Sequence, residues 1–186
     1  VITSQEDGTI LHYYNGFIDM RTLSVDASEC PLLPSLGASW ACQVNVKGCY
    51  GLTEFECGGE NIEEIDLTGC CNLETLNLFG AMKLKTLNLT PCPKLQSLEC
   101  GCCFALTRIT LSRDSRLQTL ITNSAEDLEK RIRPAELQFI KQILHKNGGN
   151  IEYTDMETPE PTKETKKFDK KLLNRLLAKY GPIFWE

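Results

Sequence analysis

The chain has 186 residues, of which 41% are hydrophobic and 24% charged, and its formal net charge is −5. This is a soluble globular composition with length for one sizeable core, and no apolar run approaches the ~18 residues of a membrane span. An acidic balance repels phosphate, so nucleic acid is not an expected partner. The chain opens at Val1 without an initiator methionine, which reads as a fragment or processed form of a longer protein.

Residues 1–19, "VITSQEDGTILHYYNGFID", contain Asp7-Gly8 and Asn15-Gly16. Both are hairpin signals, because type I′ turns need positive φ. Ile2, Ile10, Leu11, Tyr13, Tyr14, Phe17 and Ile18 flank them. The expectation is a small antiparallel meander capping the next segment, since an open solenoid end exposes apolar side chains and unpaired backbone. The functional alternative is an exposed aromatic contact patch at Tyr13 and Tyr14.

Residues 20–123 repeat. Leu73-x-x-Leu76-x-Leu78 recurs eleven residues later as Leu84-x-x-Leu87-x-Leu89, and the same step leads to Ile62, Leu95, Leu106 and Leu117. Two kinds of half-repeat alternate. One carries Leu23/Val25, Val44/Val46, Ile65/Leu67, Leu87/Leu89 and Ile109/Leu111. The other carries Phe55/Cys57, Leu76/Leu78, Leu98/Cys100 and Leu120/Thr122. The unit is therefore a pair of 21 or 22 residues, starting at Met20, Ala41, Ile62, Leu84 and Leu106.

Apolar-x-apolar spacing puts both side chains on one face of a short strand. One coil cannot bury that face, but coils stacked ~4.8 Å apart can. Gly58-Gly59, Gly69, Gly80, Pro91, Pro93 and Gly101 supply the bends. The predicted fold class is a repeat solenoid, mainly β with an α-helical C-terminal region: about five coils with a strand on each side and an N-terminal β-meander cap.

The pattern L-x-x-L-x-[LC]-x-x-[NC] resembles that of leucine-rich repeats. The short unit, with Cys alternating into the third apolar position, is similar to the 21-residue, internalin-J-like repeats of bacterial surface proteins. "LTEFECGGENIEEIDLTGCCN", residues 52–72, matches that unit best, and the likeness covers about residues 20–123. The resemblance implies a binding scaffold, non-enzymatic and without a cofactor, at a cell surface or secreted, with the cytoplasm, including a host cytoplasm for an effector, as the alternative. It implies no particular ligand.

The ten cysteines sort by position in the repeat. Cys49, Cys70 and Cys92 hold the ninth position of successive units, and Cys103 holds it in the other series. Cys57 and Cys100 hold the last inward position. These six form the expected buried ladder, free thiols acting as small hydrophobes. Cys30 falls in a degenerate first coil, and Cys42, Cys71 and Cys102 at outward or turn positions. Disulfides, or a metal site at Cys100–Cys103, are the competing arrangements. In-register parallel coils disfavour the former, and alternate positions facing opposite ways disfavour the latter.

Beyond Asn123 the pattern turns helical. Ser124-Ala-Glu-Asp127 resembles a capping box, and Pro134 opens or kinks a helix whose Leu137, Ile140, Ile143 and Leu144 share a face. Gly148-Gly149 stops it, and "NIEYT" reads as a short strand, so residues 124–154 are the expected helical C-terminal cap. Residues 155–167 are polar with two prolines and read as a linker. Residues 168–186 place Leu172, Leu173, Leu176, Leu177 and Tyr180 at helical spacing among Lys170, Lys171, Arg175 and Lys179. Such a basic amphipathic helix docks on its own protein, on a partner or on a membrane, in that order of expectation.

No constellation of catalytic residues stands out. The two histidines, His12 and His145, fall in the end regions, and neither HExxH nor a phosphate-cradling glycine loop occurs. Paired Glu54 and Glu56, with Glu99 nearby, read as a solvated acidic strip rather than an acid–base pair. The expected function is protein binding, with glycan binding behind it, through outward residues of one sheet. One face offers Gln43, Asn45, Glu64, Asp66, Thr86, Asn88, Arg108 and Thr110. The other offers Glu54, Glu56, Glu74, Asn77, Phe79, Gln96 and Glu99. Between Ala41 and Gly80 seven acids face one base, Lys47, so a partner with a basic patch is expected. The alternative is the docking arm of a larger secreted effector or enzyme. Oligomeric state is left open.

Overall fold

The computed structural model describes residues 24–154 apart from positions 29, 39, 40 and 42. The chain divides into two units, residues 1–154 and 155–186. The predicted N-terminal meander, the linker and the basic helix all lie outside the described residues.

The first unit is a mainly-β solenoid of about four turns with stacked parallel strands and few helices. The strands are short because each coil must turn a corner after every apolar-x-apolar group. They are β1 (Ser24–Asp26), β2 (Ser35–Gly37), β3 (Gln43–Asn45), β4 (Glu54–Glu56), β5 (Thr75–Asn77), β6 (Thr86–Asn88), β7 (Ser97–Glu99), β8 (Arg108–Thr110) and β9 (Thr119–Thr122). Two helices follow, α1 (Ala125–Arg131) and α2 (Pro134–Lys146), and then β10 (Asn150–Tyr153).

One side carries a continuous six-stranded parallel sheet in the order β10-β9-β7-β5-β4-β2. Its register stacks Leu36, Phe55, Leu76, Leu98, Leu120 and Ile151 as rungs of one column. The opposite side is broken into the pairs β1-β3 and β6-β8. The expectation of a strand on each side of every coil fails at residues 62–67, which form no strand although Ile62 and Leu67 are buried. The half-repeat leading there, Leu52 to Ile62, is ten residues rather than eleven.

The core is a single file of Leu, Ile, Val, Cys and Phe side chains running through the stack and under the helices. Helix α1 starts at Ser124, whose hydroxyl accepts from the Asp127 N–H, and Pro134 stands in the first turn of α2. Leu128, Ile132, Leu137, Ile140, Ile143 and Leu144 face inward and extend the core past the last coil. Polar contacts also fasten this segment to the coils. The Arg131 guanidinium donates to the Cys103 and Leu106 carbonyls, the Asn147 Nδ2 donates to the Ser115 and Leu117 carbonyls, and Arg108 pairs with Glu136 at 3.2 Å.

Candidate ligand-binding faces

The two outward faces differ in what their side chains are free to do. On the broken side, Asp26, Asn45 and Asn88 hold the second outward position of β1, β3 and β6, and Asp66 holds the matching place in the irregular stretch. Each accepts, through its Oδ1, the backbone N–H two residues on: Ser28 at 3.0 Å, Lys47 at 3.2 Å, Thr68 at 2.9 Å and Thr90 at 3.1 Å. These are Asx turns that start each corner. Hydrogen bonds from Ser28 hold the Asp26 carboxyl below its ordinary range, and those from Thr68 do the same for Asp66. The residues that suit this position as ligands on sequence grounds are therefore occupied in shaping the solenoid.

Arg108 is likewise engaged, by Glu136 of α2. Gln43, Thr86 and Thr110 are exposed on the strands of this side, and Glu64 is exposed in the irregular stretch.

On the continuous side, the register sets two outward columns. One is Ser35, Glu54, Thr75, Ser97, Thr119 and Asn150, and the other is Gly37, Glu56, Asn77, Glu99, Ile121 and Glu152. Four glutamates stand in these columns, and no lysine or arginine does. Glu54 and Glu56 share this face with Glu99, two strands away. Glu74 and Gln96 lie just before their strands, where their N–H groups pair to the Thr53 and Glu74 carbonyls of the preceding coil. Asn77 alone of this face forms an Asx turn, to the Phe79 N–H at 2.9 Å.

Phe79 sits at the rim of this face and is 40% exposed. Its backbone and ring lie against two glycines. A Cβ at Gly58 would come within 1.9 Å of the Phe79 carbonyl oxygen, and one at Gly101 within 3.0 Å of the ring. Met82 and Phe104, on adjoining coils of the same corner, are also exposed. Sequence reasoning picked out Phe79 but not these two, because their half-repeat positions carry no fixed residue type.

The cysteines form an inner array without ligand character. All nine described cysteines are free, and Cys49, Cys57, Cys70, Cys92, Cys100 and Cys103 are buried. Cys102, expected at an outward or turn position, stands in a turn at φ 58 yet is also buried. Cys71 is exposed. The Cys49, Cys70 and Cys103 thiols donate to the Ala27, Val46 and Leu78 carbonyls of the preceding coil, at 3.1, 3.2 and 3.1 Å. Each of these carbonyls also accepts a corner N–H of its own coil, from Cys30, Cys49 and Ala81, so the thiol is a second donor that ties one coil to the next. Cys30, also buried, continues the column of Cys49, Cys70 and Cys92 at its first end, where its N–H bonds the Ala27 carbonyl as that of Cys49 bonds Val46.

Burial pushes these thiols up: Cys57, Cys92 and Cys100 to about 12, and Cys70 and Cys103 to about 11. At neutral pH these thiols are therefore protonated and weakly nucleophilic. Among the described residues, no group of three or more His, Cys, Asp or Glu could hold a metal ion. His145 is exposed on α2, and His12 lies outside the described residues. No protein-family model, curated protein or solved structure matches the chain.

Proposed function

We propose that the chain is a non-enzymatic protein-binding module of the leucine-rich-repeat type, and that its ligand surface is the outward face of the six-stranded sheet. The repeat pattern and the stacked parallel coils support the repeat type, as does the thiol column that bonds corner carbonyls between coils. The observation that carries the binding reading is the charge on that face: Glu54, Glu56, Glu99 and Glu152, with no base in the outward columns. A flat, rigid surface of one sign steers a partner of the opposite sign and fixes its orientation. Phe79 at the rim supplies an apolar anchor beside the charge. The partner is therefore a protein presenting a basic patch with an apolar residue at its edge.

The test is reversal of charge on one face and not the other. A protein partner isolated on the immobilised chain should bind the Glu54→Lys, Glu99→Lys double variant about tenfold or more weakly at low salt. A Gln43→Lys, Thr86→Lys variant, altered on the opposite side, should bind as the parent does. Equal affinity of the parent and the Glu54→Lys, Glu99→Lys variant would overturn the assignment.

A further inference from the structure

Strand β10 ends the six-stranded sheet, and among the described residues no strand pairs with its outer side. Its hydrogen bonds toward β9 alternate. The Asn150 N–H donates to the Gln118 carbonyl at 2.8 Å, and the Thr154 N–H to the Thr122 carbonyl at 2.9 Å. Successive residues of a strand turn their N–H and C=O groups to opposite sides, so those of Ile151 and Tyr153 point away from β9.

The side chains show the same missing rung. Ile151 and Tyr153 stand in register with Leu120 and Thr122, which are fully buried. Yet Ile151 is only half-buried, and Tyr153 is 45% exposed. At every earlier rung of this sheet the following strand supplies both the backbone partners and the apolar cover. Natural edge strands are commonly blunted by lysine, proline or a bulge. β10, with the sequence Asn-Ile-Glu-Tyr, has neither lysine nor proline. Its outward-facing Glu152 continues the column of Glu56 and Glu99.

We propose that the outer edge of β10 takes an extended segment of a partner protein as a seventh strand. The segment pairs its backbone with Ile151 and Tyr153, lays apolar side chains over theirs, and sets a lysine or arginine beside Glu152. Alternation of apolar and basic residues is what both sides of this edge require, because cross-strand neighbours of opposite charge attract and apolar neighbours share cover. This site adjoins the sheet face proposed above and shares Glu152 with it, but it rests on the open backbone edge of β10 and not on that reading.

The probe is a fluorescein-labelled heptapeptide alternating valine and lysine, titrated against the full chain by fluorescence anisotropy. Binding should saturate, and the Ile151 and Tyr153 amides should gain protection from hydrogen exchange. The same peptide N-methylated on alternate residues keeps its charge but loses its strand donors, and it should bind about tenfold more weakly. Tyr153→Pro deletes an N–H that β9 does not use, so it should weaken binding by a similar factor without lowering the melting temperature. Tyr153→Leu, which keeps the N–H and the apolar cover, should retain it. Equal binding of the two peptides, or no saturation, overturns the proposal. So does protection of the Ile151 and Tyr153 amides in the free chain, which would mean that the chain itself or a second copy already fills the edge.

Discussion

Raising the pH should unfold this protein through its buried thiols. Burial holds Cys57, Cys92 and Cys100 at about 12 and Cys70 and Cys103 at about 11, against an ordinary value of 9.0. Above about pH 9 the unfolded chain releases these protons while the folded chain keeps them. The native state then binds more protons than the unfolded state, so stability falls as pH rises. The contribution is fully present below the unfolded value and is lost progressively up to the folded values. Each thiol adds a slope of about 1.4 kcal/mol per pH unit, and five together add on the order of 7 kcal/mol per unit. A domain has only ~5–15 kcal/mol in all, so the fold should be lost between about pH 10 and 11, before the thiols ionise in place. Circular dichroism and thiolate ultraviolet absorbance, corrected for tyrosinate and followed in one anaerobic titration, should change together in a single step. A thiolate signal that grows from about pH 9 while the strand signal persists would refute the argument, since the thiols would then be solvated in the folded state.

Other perturbations test the packing. In the native protein a maleimide should label Cys71 first, and the other described cysteines should react only after denaturant is added. Gly58→Ala should cost on the order of 3 kcal/mol or more, because its Cβ would sit 1.9 Å from the Phe79 carbonyl oxygen. Gly80→Ala, at φ +79 in open space, should cost only about 1 kcal/mol. Urea melts that place the two in the reverse order would show the coils to be less closely stacked. The buried Thr122 hydroxyl has only the Cys100 thiol, a weak partner, to bond, so the same-shaped Thr122→Val should change stability by no more than about 1 kcal/mol in the same assay.

Much of the coil geometry can be read from spacing. The apolar-x-apolar groups at Leu76/Leu78 and Leu98/Cys100 mark side chains that are buried, because a strand of period two has no other way to hide both. The earliest rung of the long sheet, Leu36, is easy to overlook, although Leu33-x-x-Leu36-x-Ala38 carries the same spacing as the later copies. β10 is harder. "NIEYT" is a visible short strand, but two helices separate it from β9, and nothing in its residues says that it rejoins the sheet in parallel. The Asx turns at Asn45, Asp66, Asn77 and Asn88 are visible only as polar outward residues, which is also how a ligand contact looks. Whether an exposed asparagine is spent on its own corner depends on the backbone two residues on.

By itself, then, the sequence determines the period, the inward columns and the placing of the cysteines among them. Those follow from the local rule that alternate residues face alternate ways. Only the tertiary structure decides which of the two series joins into a continuous sheet. That depends on how each coil's backbone meets its neighbours. The same holds for the binding face. Glu54, Glu56 and Glu99 come onto one face because the register of β4, β5 and β7 stacks them. Asp66 is nearly identical in the sequence pattern, but it is drawn into a turn by the Thr68 N–H.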